Sequence, residues 1–137
     1  MNRAHYRSYA DGLAGVPGIR LLPVDTGERR NFQYIVLEFD QRGTGVARDD
    51  MIRVLWAENV IARKYFFPGC HRMEPYRTLY PEAGRSLPHT EAVAAKLLVL
   101  PTGTGVSTAD VDRICAILRL AVGQAPELRA RLAKLPR

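Results

Sequence analysis

Residues 32–39, FQYIVLEF, form the run on which the fold turns. Aromatic and β-branched side chains crowd it, as they do in strands. Side chains alternate across an extended chain, so Phe32, Tyr34 and Val36 share one face and Ile35, Leu37 and Phe39 the other. An apolar set on both faces predicts a central strand, or one whose second face is covered by something else. Toward the N-terminus, Asn2–Leu13 spaces Tyr6, Tyr9 and Leu13 helically and stops at Gly15, with Pro17 beyond. Ile19–Leu22 reads as a short extended piece, and Asp25–Asn31 as a charged, Gly-containing loop. Toward the C-terminus, a turn at Gln41–Gly45 leads to a helix over Arg48–Asn59, with Met51, Ile52, Leu55 and Trp56 as its apolar face. Val60–Tyr65 predicts a second strand. Pro88, tolerated in a first turn, opens a helix through Leu98, and Val99–Pro101 leaves it extended. Ser107 is a good N-cap, with Asp110 favouring the dipole of a helix through Val111, Ile114, Cys115 and Leu118 to Gly123. A basic terminal helix over Ala125–Leu135 follows. This order predicts an α+β fold, a small antiparallel or mixed sheet with helices packed on one face.

The 137 residues fit a single domain, and a chain of that length buries roughly 68% of its unfolded surface. At 47% hydrophobic and 25% charged residues, the balance is that of a globular protein. The longest apolar run, Ala92–Leu100, is broken by Lys96 and falls short of the ~18 residues of a membrane span. The polar start MNRAHYRSYADG lacks a signal peptide's apolar stretch, so the cytoplasm is expected. Cys70 and Cys115 lie 45 positions apart with no CxxC or His/Cys cluster. Reduced, unpaired thiols follow, and no metal site. The net charge of +6 comes from scattered residues, seventeen of the twenty cations being Arg. Nucleic-acid binders cluster their cations or interleave them with stacking aromatics, so a phosphate-bearing small ligand fits better than nucleic acid.

The most unusual stretch is Ile61–Gly84, IARKYFFPGCHRMEPYRTLYPEAG. Tyr65, Phe66, Phe67, His71, Arg72, Tyr76, Arg77 and Tyr80 crowd a Pro-rich loop. Aromatics stack on bases or sugars, Arg binds phosphate, and His or Tyr moves protons near neutral pH. The bland reading is equally open: the aromatics anchor a surface loop. A lone loop histidine such as His71 is more often a plain hydrogen-bonding residue than a catalyst. No carboxylate is fixed to it by spacing, Glu74 being the near one. His89 reads as a helix-start residue. TGTG at 102–105 lacks the GK[ST] ending of a phosphate loop and reads as a tight turn into the Ser107 helix.

Taken in order, RKYFFPGCHRMEPY, then LP.TE at Leu87–Glu91, then LPTGTGVS at Leu100–Ser107 resemble the C-terminal part of the DegT-type sugar-nucleotide aminotransferases. NFQYIVLEFD and ADVDRICAILRLA fall in the expected places, and the likeness runs from the first helix to about Val122. It implies the small C-terminal domain of a fold-type I enzyme that uses pyridoxal phosphate to aminate a nucleotide-linked keto sugar. In that family the cofactor lysine belongs to the large domain, while the small domain closes over the site. The resemblance carries over Tyr65, Phe66, His71 and Tyr76 as substrate-side residues, with Asn31 a weaker one. The family often has Tyr where Phe66 or Phe67 stands, so no hydroxyl role is carried over there. Schiff-base chemistry needs a desolvated lysine, and Lys64, Lys96 and Lys134 are the chain's three. None has the Ser- and Gly-rich surroundings of the family's cofactor lysine. The expectation is therefore a small domain, residues 1–137, parted from its cofactor-binding domain, with no catalytic residue or cofactor of its own. Its partners would be a nucleotide-linked sugar, a large domain or subunit, and a second copy in a homodimer. The alternative is a free-standing, non-catalytic module binding a nucleotide sugar or a partner subunit.

Overall fold

A computed structural model describes residues 1–24 and 30–134. Most of the charged loop read at Asp25–Asn31, and Leu135 of the terminal helix, lie outside the described residues. The elements run α1 (Asn2–Leu13), β1 (Ile19–Leu21), β2 (Ile35–Phe39), α2 (Gln41–Thr44), α3 (Arg48–Ala57) and β3 (Arg63–Lys64), followed by α4 (Tyr76–Leu79), α5 (Ala83–Ser86), α6 (Pro88–Lys96), β4 (Leu97–Leu100), α7 (Thr108–Gly123) and α8 (Ala125–Leu132). The strands form one antiparallel sheet in the order β1-β2-β4-β3. The class is α+β, as the sequence predicts.

β2 is central, with Ile35 opposite Leu100 and Leu37 opposite Leu98. Its Ile35, Leu37 and Phe39 are buried beneath α1, α3 and α7, packed with Tyr9, Leu13, Met51, Leu55, Val111, Ile114 and Leu118. Burying each such side chain contributes about 1.5–3 kcal/mol. The other sheet face is half-buried at Val36 and Glu38 and exposed at Tyr34. The helices meet closely: a β-carbon on Gly12 of α1 would lie 2.6 Å from Cys115 Sγ on α7. Arg119 of α7 donates from Nε to the Gly12 carbonyl at 2.7 Å and from Nη2 to that of Ala14 at 3.1 Å, satisfying the end of α1. Ser107 and Asp110 form the full capping box of α7.

Three boundaries and one face differ most from expectation. β2 begins at Ile35 rather than Phe32, because the Asn31 side chain accepts from Gln33 N–H at 3.1 Å and Phe32 takes φ 51°. The Phe32 ring then lies 5.4 Å from Tyr6, under the Arg3 guanidinium. α6 stops at Lys96, and Leu97 and Leu98 belong to β4, where pairing on both sides outweighs the helix propensity of Leu. The second strand shrinks to Arg63–Lys64, bracketed by the left-handed Asn59 and Phe66 (φ 59° and 44°). Trp56 leaves the apolar face: it is 59% exposed, its indole N–H donating to the Ala62 carbonyl at 2.8 Å.

One segment stands apart. From Arg63 to Lys96 no described residue is buried. Yet Phe66, Phe67, Met73, Tyr76, Leu79, Tyr80, Leu87 and Val93 within it are each at least 40% exposed.

Candidate functional site

The segment leaves β3 at Tyr65 and folds into short turns before returning through α6. Tyr65 and Phe66 pack ring to ring at 4.5 Å, and Tyr34, from the open sheet face, meets Tyr65 edge-on at 5.6 Å. Offset and edge contacts of this kind favour aromatic pairs by about 0.5–1.5 kcal/mol. The chain passes two cis prolines, Pro68 and Pro75, and a single turn at Cys70–Arg72. α4, α5 and α6 then wrap a cleft of about 910 Å³. Tyr65, Phe66, His71 and Tyr76 line it together, joined by Tyr80 and His89. Asn31 sits elsewhere, in a neighbouring cleft of about 620 Å³ on the open sheet face. Tyr65 lines both, so it forms the wall between them.

His71 finds its carboxylate far along the chain. Its Nε2 lies 2.6 Å from Glu91 Oε1, while Arg72 donates from Nε to the same oxygen at 2.6 Å. Glu74, the neighbour in sequence, accepts instead from Arg77 and Thr78. The Arg72 hydrogen bond, then that of His71, holds the Glu91 carboxyl below its ordinary range. The His71 side chain is only 9% exposed. Glu91 belongs to α6, which has no buried residue. That helix is fixed by polar ties at both ends, Glu91 at one and Arg48 at the other. The buried Arg48 donates to the carbonyls of Ala94 (3.1 Å) and Leu97 (2.7 Å), linking α6 to α3.

Two contributors escape sequence reasoning. Tyr34 gives no signal beyond its place on the second face of the strand. Glu91 carries one faint mark, its position in LP.TE.

The Lys64 ammonium is held by Asp49 Oδ2 at 2.8 Å and lies 4.3 Å above the Phe67 ring. Lys96 ends α6 beside the cavity formed by Asp40, Arg42 and Arg48, and Lys134 follows α8. The 910 Å³ cleft is lined by no lysine and no carboxylate among the described residues. Among those residues no group of three or more His, Cys, Asp or Glu is placed to hold a metal, and no helix is long and apolar enough to cross a membrane.

Comparison with known proteins fits this arrangement. The dTDP-4-amino-4,6-dideoxy-D-glucose transaminase of Escherichia coli is 33% identical over 110 residues, which cover 80% of this chain and 29% of that protein. The structure of DesI, determined in the presence of its TDP-sugar product, superposes with a TM-score of 0.87 at 43% identity, covering 97% of this chain and 33% of that one. The aminotransferase TlmJ from Streptoalloteichus hindustanus shares the fold, with a TM-score of 0.73 at 24% identity over 91% of this chain and 32% of its own. The chain spans about a third of the length of these relatives. Residues 1–119 match the model of the DegT/DnrJ/EryC1/StrS aminotransferases; the chain belongs to that family of pyridoxal-phosphate-dependent enzymes.

Proposed function

We propose that residues 1–137 form one small domain that covers the substrate in an aminotransferase acting on nucleotide-linked keto sugars in the cytoplasm, and that they do not catalyse alone. The observation that carries this reading is the aromatic cleft, built from exposed and half-buried residues with the buried Leu97 of β4 at its edge. Tyr65, Phe66 and Tyr76 offer ring faces to a base or sugar, where stacking is worth about 1–3 kcal/mol per base. His71 offers a nitrogen to a hydroxyl or phosphate oxygen at the cleft wall. Asn31, across Tyr65, is placed for a more distant part of the same ligand. Pyridoxal phosphate supplies the electron sink of transamination when joined to an amine. No lysine here is suited to that joining, so the reactive amine comes from outside these residues. A large cofactor-binding domain, paired in a homodimer, would supply it and complete the seat.

The test is a titration of the chain with dTDP-glucose, followed by NMR. Resonances of Tyr65, Phe66, His71 and Tyr76 are expected to move and those of α7 to stay; movement confined to other residues would refute the assignment. Borohydride reduction with pyridoxal phosphate should leave no stable adduct on Lys64. A cleft that needs a second domain to complete it should hold dTDP-glucose only weakly, so micromolar binding heat from the chain alone would favour instead a free-standing nucleotide-sugar-binding module.

A further inference from the structure

We infer that Glu91 is a positioning residue for His71: it fixes the imidazole as its Nε2–H tautomer and locks the ring in one orientation at the cleft wall. A nearly buried imidazole must satisfy its polar atoms locally, and Nε2 has the Glu91 carboxylate at 2.6 Å. Arg72 decides the sense of that contact. Guanidinium has donors and no acceptor, so the oxygen it shares with His71 is held as an acceptor. His71 must then donate from Nε2, which leaves the Nδ1 lone pair as the ring's acceptor in the neutral state.

Space around the network is provided by two glycines. A β-carbon on Gly84 would lie 2.6 Å from Arg72 Nη2 and 3.0 Å from Glu91 Oε1. One on Gly69, at φ 90°, would lie 2.9 Å from His71 Cε1. The position of Glu91 itself derives from the core, through α6 and the Arg48 hydrogen bonds to Ala94 and Leu97. Glu91 thus transmits the placement of the sheet and α3 to a ring that buries nothing in them.

Long-range nitrogen–proton NMR on the histidine-labelled chain tests this, since the chain has only three histidines. Spectra are read well above the ordinary imidazole pKa of about 6.5. His71 is expected to show the Nε2–H pattern alone. Glu91→Ala should convert it to a mixture of tautomers. Glu91→Gln keeps an acceptor oxygen for Arg72 and His71, so it should retain the Nε2–H form with its proton moved upfield. If the alanine variant does not fold, the glutamine variant decides. An unchanged Nε2 proton in Glu91→Gln, or an unchanged tautomer in folded Glu91→Ala, would overturn the inference.

The link to ligand rests on the proposed function and is read separately. Glu91→Ala should weaken dTDP-glucose binding about tenfold, as loss of an orienting partner does for metal-bound histidines. A wild-type chain that ignores dTDP-glucose refutes the binding role and leaves the tautomer result standing. Equal binding by both chains refutes the positioning role.

Discussion

The sheet with α1, α3 and α7 and the segment 63–96 share one chain but are held by different physics. In the first, Tyr9, Leu37, Met51, Leu55, Leu98 and Leu118 are fully buried, and polar groups serve the ends of elements: the Ser107 cap, the Arg119 bonds to α1, the Tyr9 hydroxyl on the Pro101 carbonyl. In the second, nothing described is buried, and beyond the short pairing of β3 with β4 position comes from ring contacts, the His71–Glu91–Arg72 cluster and the Arg48 bonds. Large apolar side chains occur in both. A sequence composition does not distinguish them; what differs is whether another part of the same chain lies over them. An exposed apolar surface of this kind usually serves contact with something else.

Substitutions should separate the two regions. Leu118→Ala, at a fully buried site, should cost about 2–5 kcal/mol in chemical denaturation. A loss below 1 kcal/mol would mean that the core is not where the structure puts it. Gly12→Ala drives a methyl against Cys115 Sγ and should cost about 1–3 kcal/mol. Pairing it with Cys115→Ala should recover part of that loss, since the obstructing sulfur is gone. Ser107→Ala removes one half of the capping box and should cost about 1 kcal/mol.

Acid should loosen the segment before the core. Glu91 is held low by Arg72 and His71. Asp49 is also held low: burial pushes it upward, but hydrogen bonds from Lys64 and Arg48 prevail. A carboxyl whose folded pKa is depressed stabilises fully above its unfolded value, about 4, and ceases to do so as pH falls through the folded one. Once the intrinsic slowing of exchange in acid is divided out, protection at residues 69–72 and in α6 should therefore fall on acidification, while β2 and the part of α7 beyond its Asp110 cap stay protected. Simultaneous loss in both would contradict the separation.

The core was largely legible because its periods are strong. β2 alternates, α7 carries Val111, Ile114, Cys115 and Leu118 at helical spacing, and Ser107 announces its start. The errors fall where tertiary contacts overrode local preference: Leu97 and Leu98 taken by strand pairing, Phe32 turned onto Tyr6, Trp56 turned to the Ala62 carbonyl. The cleft was legible as a set of residue types, and Tyr65, Phe66, His71 and Tyr76 do meet. Its wiring was not. Glu91 lies twenty residues from His71 and Tyr34 thirty-one from Tyr65, separations that no local pattern encodes.

The central claim is that the cleft residues serve a ligand and not the fold. The double variant Phe66→Ala/Tyr76→Ala tests it in one sample set, by denaturation and by NMR titration with dTDP-glucose. The expected result is a stability loss of about 0.5–1.5 kcal/mol from the missing Tyr65–Phe66 ring pair and no more than about 0.5 kcal/mol at Tyr76, as for surface positions, together with at least a tenfold loss of affinity, about 1.4 kcal/mol. A stability loss of several kcal/mol with undiminished binding would contradict it.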